Sequence, residues 1–169
     1  MLIPLAEQLR PGSLDDYLGQ EHLIGKDAIL RRAIESQTGL SPTIKWPNDI
    51  LVHGRKVAGI LTELSAELDH IKYVVLGIGV DVNLNPGDFP AELRKVATSL
   101  KAELDRPVSR PDLAVAILRE LDNDYARISA GRFVALADEW EKHGTTIGHD
   151  VVIRIGNREV RGRAESLGE

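Results

Sequence analysis

From Thr43 to Val80 the chain alternates between apolar and polar residues with a period of two, and this rhythm constrains the fold more than any other feature. Thr43-Ile44-Lys45-Trp46, Ile50-Leu51-Val52-His53 and Lys56 to Glu63 read as consecutive antiparallel strands, the last two joined at a Gly54-Arg55 turn. Lys72 to Val80 is almost continuously apolar, but Gly77 and Gly79 make it too glycine-rich for a helix, so it is predicted as a buried central strand.

The flanks carry helical signals. Ser13-Leu14-Asp15-Asp16 opens a short helix that Gly19 stops, and a second helix is predicted over Asp27 to Gln37, with Ile29, Leu30, Ala33 and Ile34 on one face and Gly39 at its end. Beyond the strands, Pro90 to Leu104 has a helical pattern broken near Thr98-Ser99. Ser109 caps a stronger helix through Leu113, Ala116, Ile117, Leu121 and Tyr125, ending near Gly131. Phe133, Leu136 and Trp140 mark another, closed by Gly144 as a C-terminal glycine. From Asp150 the period returns to two, giving Val151 to Ile155, a Gly156-Asn157 turn and Arg158 to Arg163. The expected architecture is α/β of the α+β type: a partial mixed or antiparallel sheet with packed helices, behind a helical leader at residues 1–40.

At 169 residues the chain has room for about one domain, and its 43% hydrophobic but only 4% aromatic content implies an aliphatic core. The absence of cysteine excludes disulfides, thiolate nucleophiles and cysteine-ligated zinc. A net charge of -5 argues against a general nucleic-acid surface, and no long apolar run suggests a membrane span, so a cytoplasmic protein is expected. His22, His53, His70, His143 and His149 show no helical ligand spacing, and Ser65, Ser99 and Ser129 lack a nucleophile-elbow frame, so neither a metal site nor a serine hydrolase is expected. Asp15-Asp16, Glu139 and Glu141 read as solvated helix faces.

The stretch richest in chemistry is Ile44-Lys45-Trp46-Pro47-Asn48-Asp49-Ile50. Lys45 stands at a strand end beside a turn stiffened by Pro47 and by the backbone-bonding side chains of Asn48 and Asp49. With Ala58-Gly59-Ile60-Leu61 and Gly77-Ile78-Gly79, the pattern suggests a cation facing a site floored by bare backbone. A surface lysine followed by bulge-marking glycines would account for the same residues.

Lys45-Trp46-Pro47-Asn48-Asp49, Ala58-Gly59-Ile60-Leu61, Gly77-Ile78-Gly79 with Val82-Asn83, and Ala97-Thr98-Ser99-Leu100 stand in the order and approximate spacing of one family. Residues 43–169 resemble the biotin protein ligases, which form biotinyl-adenylate from biotin and ATP and pass the biotin to a lysine of a carrier protein. The resemblance assigns Lys45 to the biotin carboxylate and phosphate as the catalytic cation, and Lys45, Gly59, Ile60, Gly77 and Ile78 to biotin. It assigns Asn48 and Asp81 to the nucleotide. It implies ATP, biotin and Mg2+ as cofactors and a biotin carboxyl carrier protein as partner. It also implies a partial catalytic domain over 41–145 and a segment of a small SH3-like barrel over 146–169. Asp81 stands where the family usually has Asn, and the family's Gly-Arg-Gly-Arg-Arg-Gly loop is missing ahead of Lys45, with Arg161-Gly162-Arg163 in the wrong place to replace it. Impaired catalysis is the expectation.

Pro4 to Pro11, Leu14 to Leu23 and Leu30 to Glu35 resemble instead the start of the replication-associated recombination AAA+ ATPases, where Arg10-Pro11 and Gly19-Gln20 would lie near adenine. No Gly-x-x-x-x-Gly-Lys-Ser/Thr loop occurs, so AAA+ ATPase activity is not expected. The expected whole is a chimera, joined near Gly39 to Pro42. Two other functions compete with the ligase: a non-catalytic module whose bared sheet pairs with a second copy, giving a homo-oligomer, and a DNA-repair ATPase fragment.

Overall fold

Four strands form an antiparallel meander in the order β1 (Thr43–Lys45), β2 (Asp49–Val52), β3 (Arg55–Ala66) and β4 (Ile71–Val80). The structure is a computed structural model that describes residues 26–66, 71–156 and 158–166. The helix expected at 13–19, Arg10-Pro11, Gly19-Gln20, His22, His70 and Asn157 therefore lie outside the described residues.

The strands form where the alternation places them because one face has somewhere to be buried. Ile44, Ile50, Val52, Val57, Ala58 and Ile60 are all at most 4% exposed. Against them packs α1 (Lys26–Thr38), whose Ile29, Leu30, Ala33 and Ile34 recur at helical spacing and are at most 1% exposed. Each large aliphatic side chain buried in this way contributes about 1.5–3 kcal/mol. Gly39 ends α1 in a left-handed conformation (φ 75°), its amide donating to the Glu35 carbonyl, and turns the chain into β1. Within the region assigned to the leader, residues 26–38 thus share one core with the sheet.

Among the described residues, the sheet is closed along β1 and left open along β4. Along β1 the Thr145 amide and hydroxyl both donate to the Ile44 carbonyl, and the Trp46 amide donates to the Thr146 hydroxyl. β4, expected as a buried central strand, is an edge strand with Tyr73, Val74 and Val75 exposed. Its apolar run has no second layer to meet among the described residues, so continuous hydrophobicity did not mean burial here.

The region from Pro90 to Leu104 is helical only at its end. Residues 91–96 form turns, Ala97 bridges Lys56, and α2 (Leu100–Leu104) follows, with the Ser99 hydroxyl accepting from the Ala102 amide. α3 (Arg110–Ser129) starts at the predicted Ser109 cap and buries Leu113, Ala116 and Ile117. α4 (Phe133–His143) buries Leu136 and Trp140. Gly144 follows it with φ -73°, so left-handed freedom is not its reason for being glycine; a Cβ there would stand 3.3 Å from the Trp140 ring and 3.4 Å from the Trp140 carbonyl oxygen.

Glu139, expected on a solvated face, is drawn into an ionic cluster between helices. Arg32 of α1 reaches Glu120 at 2.6 Å, Asp124 at 2.8 Å and Glu139 at 2.8 Å, and Arg127 reaches Asp124 and Glu139. The Arg32 Nη2 to Asp124 Oδ2 contact lacks hydrogen-bond alignment, so it is ionic. β5 (Asp150–Ile155) and β6 (Arg158–Arg163) form a separate two-stranded hairpin with β6 exposed along its length.

Candidate functional site

Strand register aligns Lys45, Asp49, Gly59 and Gly79 in one row across all four strands, beside a row of Ile44, Ile50, Ala58 and Val80. Paired residues share a face and neighbours alternate, so the isoleucine row marks the core side and the glycine row the open side.

Two residues later in the β2–β3 ladder the alternation breaks. Ile50 pairs with Ala58 but Leu51 pairs with Lys56, leaving Val57 as an extra residue in a β-bulge. Val57 and Ala58 are both buried as a result, at 0% and 3%. The bulge moves Lys56 onto the same open face as Gly59, from which strict alternation would separate it. The Val57 carbonyl accepts from the Asp81 amide, so the bulge also ties the end of β4 in place.

The open face holds a groove of about 660 Å³ whose lining includes Asn48, Lys56, Gly59, Leu61, Gly77, Gly79 and Asp81. Its electrostatics centre on Lys56, which forms an ion pair with Asp49. Burial pushes the Asp81 carboxyl above its ordinary 3.8, and the charge of Lys56 offsets this only in part. Gly79 would meet nothing within 4 Å if given a Cβ, which makes it open floor. Asn48 is structural as well as accessible: its side-chain amide donates to the Ile60 carbonyl and its own carbonyl accepts from the Ile60 amide.

The residues expected from sequence are partly brought together. Asn48, Gly59, Ile60, Gly77, Ile78 and Asp81 all line the groove. Alternation turns the side chains of Ile60 and Ile78 to the core, with Ile60 only 4% exposed, while Leu61, 63% exposed, supplies apolar surface on the open face. Lys45 is exposed and stands outside the lining, two strands from Gly59 in the same row. Among the described residues, the cation that lines the groove is Lys56, which the sequence reading did not single out. Its only sequence signal is its place three residues before Gly59, and three residues reads as the wrong face unless a bulge is foreseen.

Ala97-Thr98-Ser99-Leu100 does not line the groove; it holds the groove together from behind. Lys56 donates to the Val96 carbonyl and accepts from the Thr98 amide, and Leu100 donates to Asp81. Among the described residues no cluster of acids and histidines could hold a metal ion, and no helix is long and apolar enough to cross a membrane.

The fold has a solved counterpart. It superposes on the biotin protein ligase of Aquifex aeolicus in its apo form with a TM-score of 0.78 at 23% identity, over 89% of this chain and 65% of that one. The fold is that of the biotin protein ligases. The same Aquifex ligase in complex with biotin and ATP gives a TM-score of 0.75 at 24% identity, over 89% of this chain and 62% of that one. The model of the biotin/lipoate A/B protein ligase family matches residues 17–81. The bifunctional ligase/repressor BirA of Bacillus subtilis is 38% identical over 156 residues, which is 92% of this chain and 48% of BirA. The chain thus spans about half the length of the curated ligases it matches. A short match to the replication-associated recombination protein A of Coxiella burnetii, 61% identical over 33 residues, covers 20% of this chain and 8% of that protein. Both halves of the expected resemblance are therefore present, consistent with a chimera.

Proposed function

We propose that the groove is a biotin-activating site and that the chain contributes to ATP-dependent ligation of biotin to a carrier-protein lysine. The observation that carries this reading is the Lys56 amine lying against Gly59, in a groove also lined by Gly77, Gly79 and Leu61. An apolar surface ending in a cation suits a small apolar acid, because the body of the ligand needs dry backbone contact and its carboxylate needs a fixed positive charge.

The chemistry follows from the charges. The biotin carboxylate attacks the α-phosphorus of ATP, a P–O bond to pyrophosphate breaks, and the mixed anhydride forms. A lysine amine of the carrier then attacks the anhydride carbonyl and AMP leaves. Both steps bring negative oxygens together, and Lys56 stabilises that charge once it exchanges Asp49 for the ligand. The exchange is cheap, because the Lys56 side chain is 48% exposed and a solvated pair is worth at most about 1 kcal/mol. Lys45 stands at the outer end of the same row, and in this reading it meets phosphate or carrier at the rim. Mg2+ arriving with the nucleotide would offset the carboxylates of Asp49 and Asp81.

Transfer of labelled biotin to a carrier domain, with and without ATP, tests the reading. Lys56→Ala is expected to abolish labelling, and full labelling by that variant would exclude this site. Lys45→Ala is expected to weaken labelling only.

The edge of β4, unpaired among the described residues, favours an additional self-associated state, since Tyr73, Val74 and Val75 are exposed along it. Light scattering is expected to give a mass above that of one chain; a monomer at tens of micromolar would exclude it.

A further inference from the structure

We infer that Glu103, which lies outside the groove, is a positioning residue that fixes where Lys56 presents its amine. The inference rests on reading Lys56 as the cation of the site.

Glu103 lies on α2 with its side chain only 4% exposed, although it is a carboxylate on a helix of 5 residues. Such a group stays buried only where strong partners hold its charge. Its Oε1 accepts from Arg55 Nη2 at 2.6 Å and from the Thr98 hydroxyl at 2.6 Å, and its Oε2 meets His53 Nδ1 at 2.6 Å. Burial alone would raise this carboxyl, yet the bonds from Thr98 and His53 and the charge of Arg55 bring it below its ordinary value.

Thr98 is hydrogen-bonded to the Lys56 backbone, and the other two partners lie at the turn that leads into Lys56. His53 and Arg55 belong to the β2–β3 turn, and Arg55 immediately precedes Lys56 in the chain. Thr98 donates its amide to the Lys56 carbonyl. The turn itself needs holding, because both central residues are left-handed, with His53 at φ 49° and Gly54 at φ 77°. A histidine accepts that conformation less readily than a glycine, and the contact with Glu103 compensates for it. One carboxylate thus clamps the turn before Lys56 to the segment paired beside it. The bulge at Val57 is confined between this clamp and the Asp81 amide.

The experiment follows the lysine itself. In protein labelled with 13C at lysine Cε, the Lys56 signal is assigned by its loss in Lys56→Arg and then compared between wild type and Glu103→Gln. The expected result is a shifted or broadened Lys56 signal, with the other lysines and the Trp140 indole signal unchanged. An unchanged Lys56 signal in folded Glu103→Gln would overturn the inference. Should Glu103→Gln fail to fold, Thr98→Val, which removes one hydrogen bond at constant shape, is judged by the same two outcomes. Biotin labelling answers the separate question: kcat/KM is expected to fall about 10- to 100-fold in Glu103→Gln. Wild-type labelling by Lys56→Ala would sink the proposed function and leave the spectroscopic result standing.

Discussion

Lys56 lies across Gly59: a Cβ added at that glycine would stand 3.3 Å from both Cε and Nζ of the lysine and 3.4 Å from the Asn48 carbonyl oxygen. Gly59→Ala should therefore push the amine aside by a few tenths of an ångström while the fold persists, since the nearest atoms belong to the flexible end of a side chain. Biotin labelling is expected to drop about tenfold, with stability changed by no more than about 0.5 kcal/mol. Steady-state labelling and thermal melting measure the two effects separately.

Gly79 offers the complementary experiment. A Cβ added there meets nothing within 4 Å, so Gly79→Val is expected to fill groove space, and valine suits a strand. The melting temperature should hold or rise while calorimetric biotin binding disappears. Binding at wild-type strength would place the ligand elsewhere.

Asp81 carries a half-buried carboxyl in the site, and its folded pKa is raised above 3.8. A raised acid works against the fold as pH climbs from that ordinary value through the folded one, because the native state holds its proton longer than the unfolded chain does. Asp81→Asn is expected to raise the melting temperature at pH 7 and to leave it unchanged near pH 3. It should also tighten ATP binding, read by calorimetry in the presence of magnesium, by removing a like charge.

Arg32 is the ionic hub of the helical layer. Burial pushes its pKa down, the carboxylates of Asp124, Glu120 and Glu139 push it further up, and the guanidinium stays charged throughout. Arg32→Ala strands three carboxylates in a partly buried cluster, and a loss of about 3 kcal/mol is expected in urea unfolding. A loss below about 1 kcal/mol would mean that water already screens the cluster.

Glu139 supplies the pH signature of that cluster. Burial raises its carboxyl, but bonds from Arg32 and Arg127 lower it further, leaving the folded pKa below 4.5. Its stabilisation is thus complete above 4.5 and lost as pH falls through the folded value. Melting temperature followed downward from pH 6 should decline less steeply in Glu139→Gln than in wild type.

The alternating run from Thr43 to Glu63, the α1 face of Ile29, Leu30, Ala33 and Ile34, and the Ser109 cap were all legible in the sequence, because each is a local pattern matched to a local geometry. The glycine floor was legible too, since glycine inside a strand signals open or crowded backbone. The exposure of β4 was not, because a continuous apolar run looks the same whether or not another layer covers it. Glu139 read as a surface residue because its arginine partners lie on α1 and elsewhere on α3, and only packing brings those helices together.

The cation marks the division most clearly. Sequence by itself determined that a positive side chain would accompany these glycines, and proximity to the rigid Pro47 turn pointed to Lys45. In the tertiary structure Lys56 lines the groove and Lys45 stands outside its lining. One extra residue at Val57 reverses the side from which every earlier side chain of β3 emerges, and that insertion is set by hydrogen bonds to β2, to Asp81 and to Thr98 rather than by any local preference.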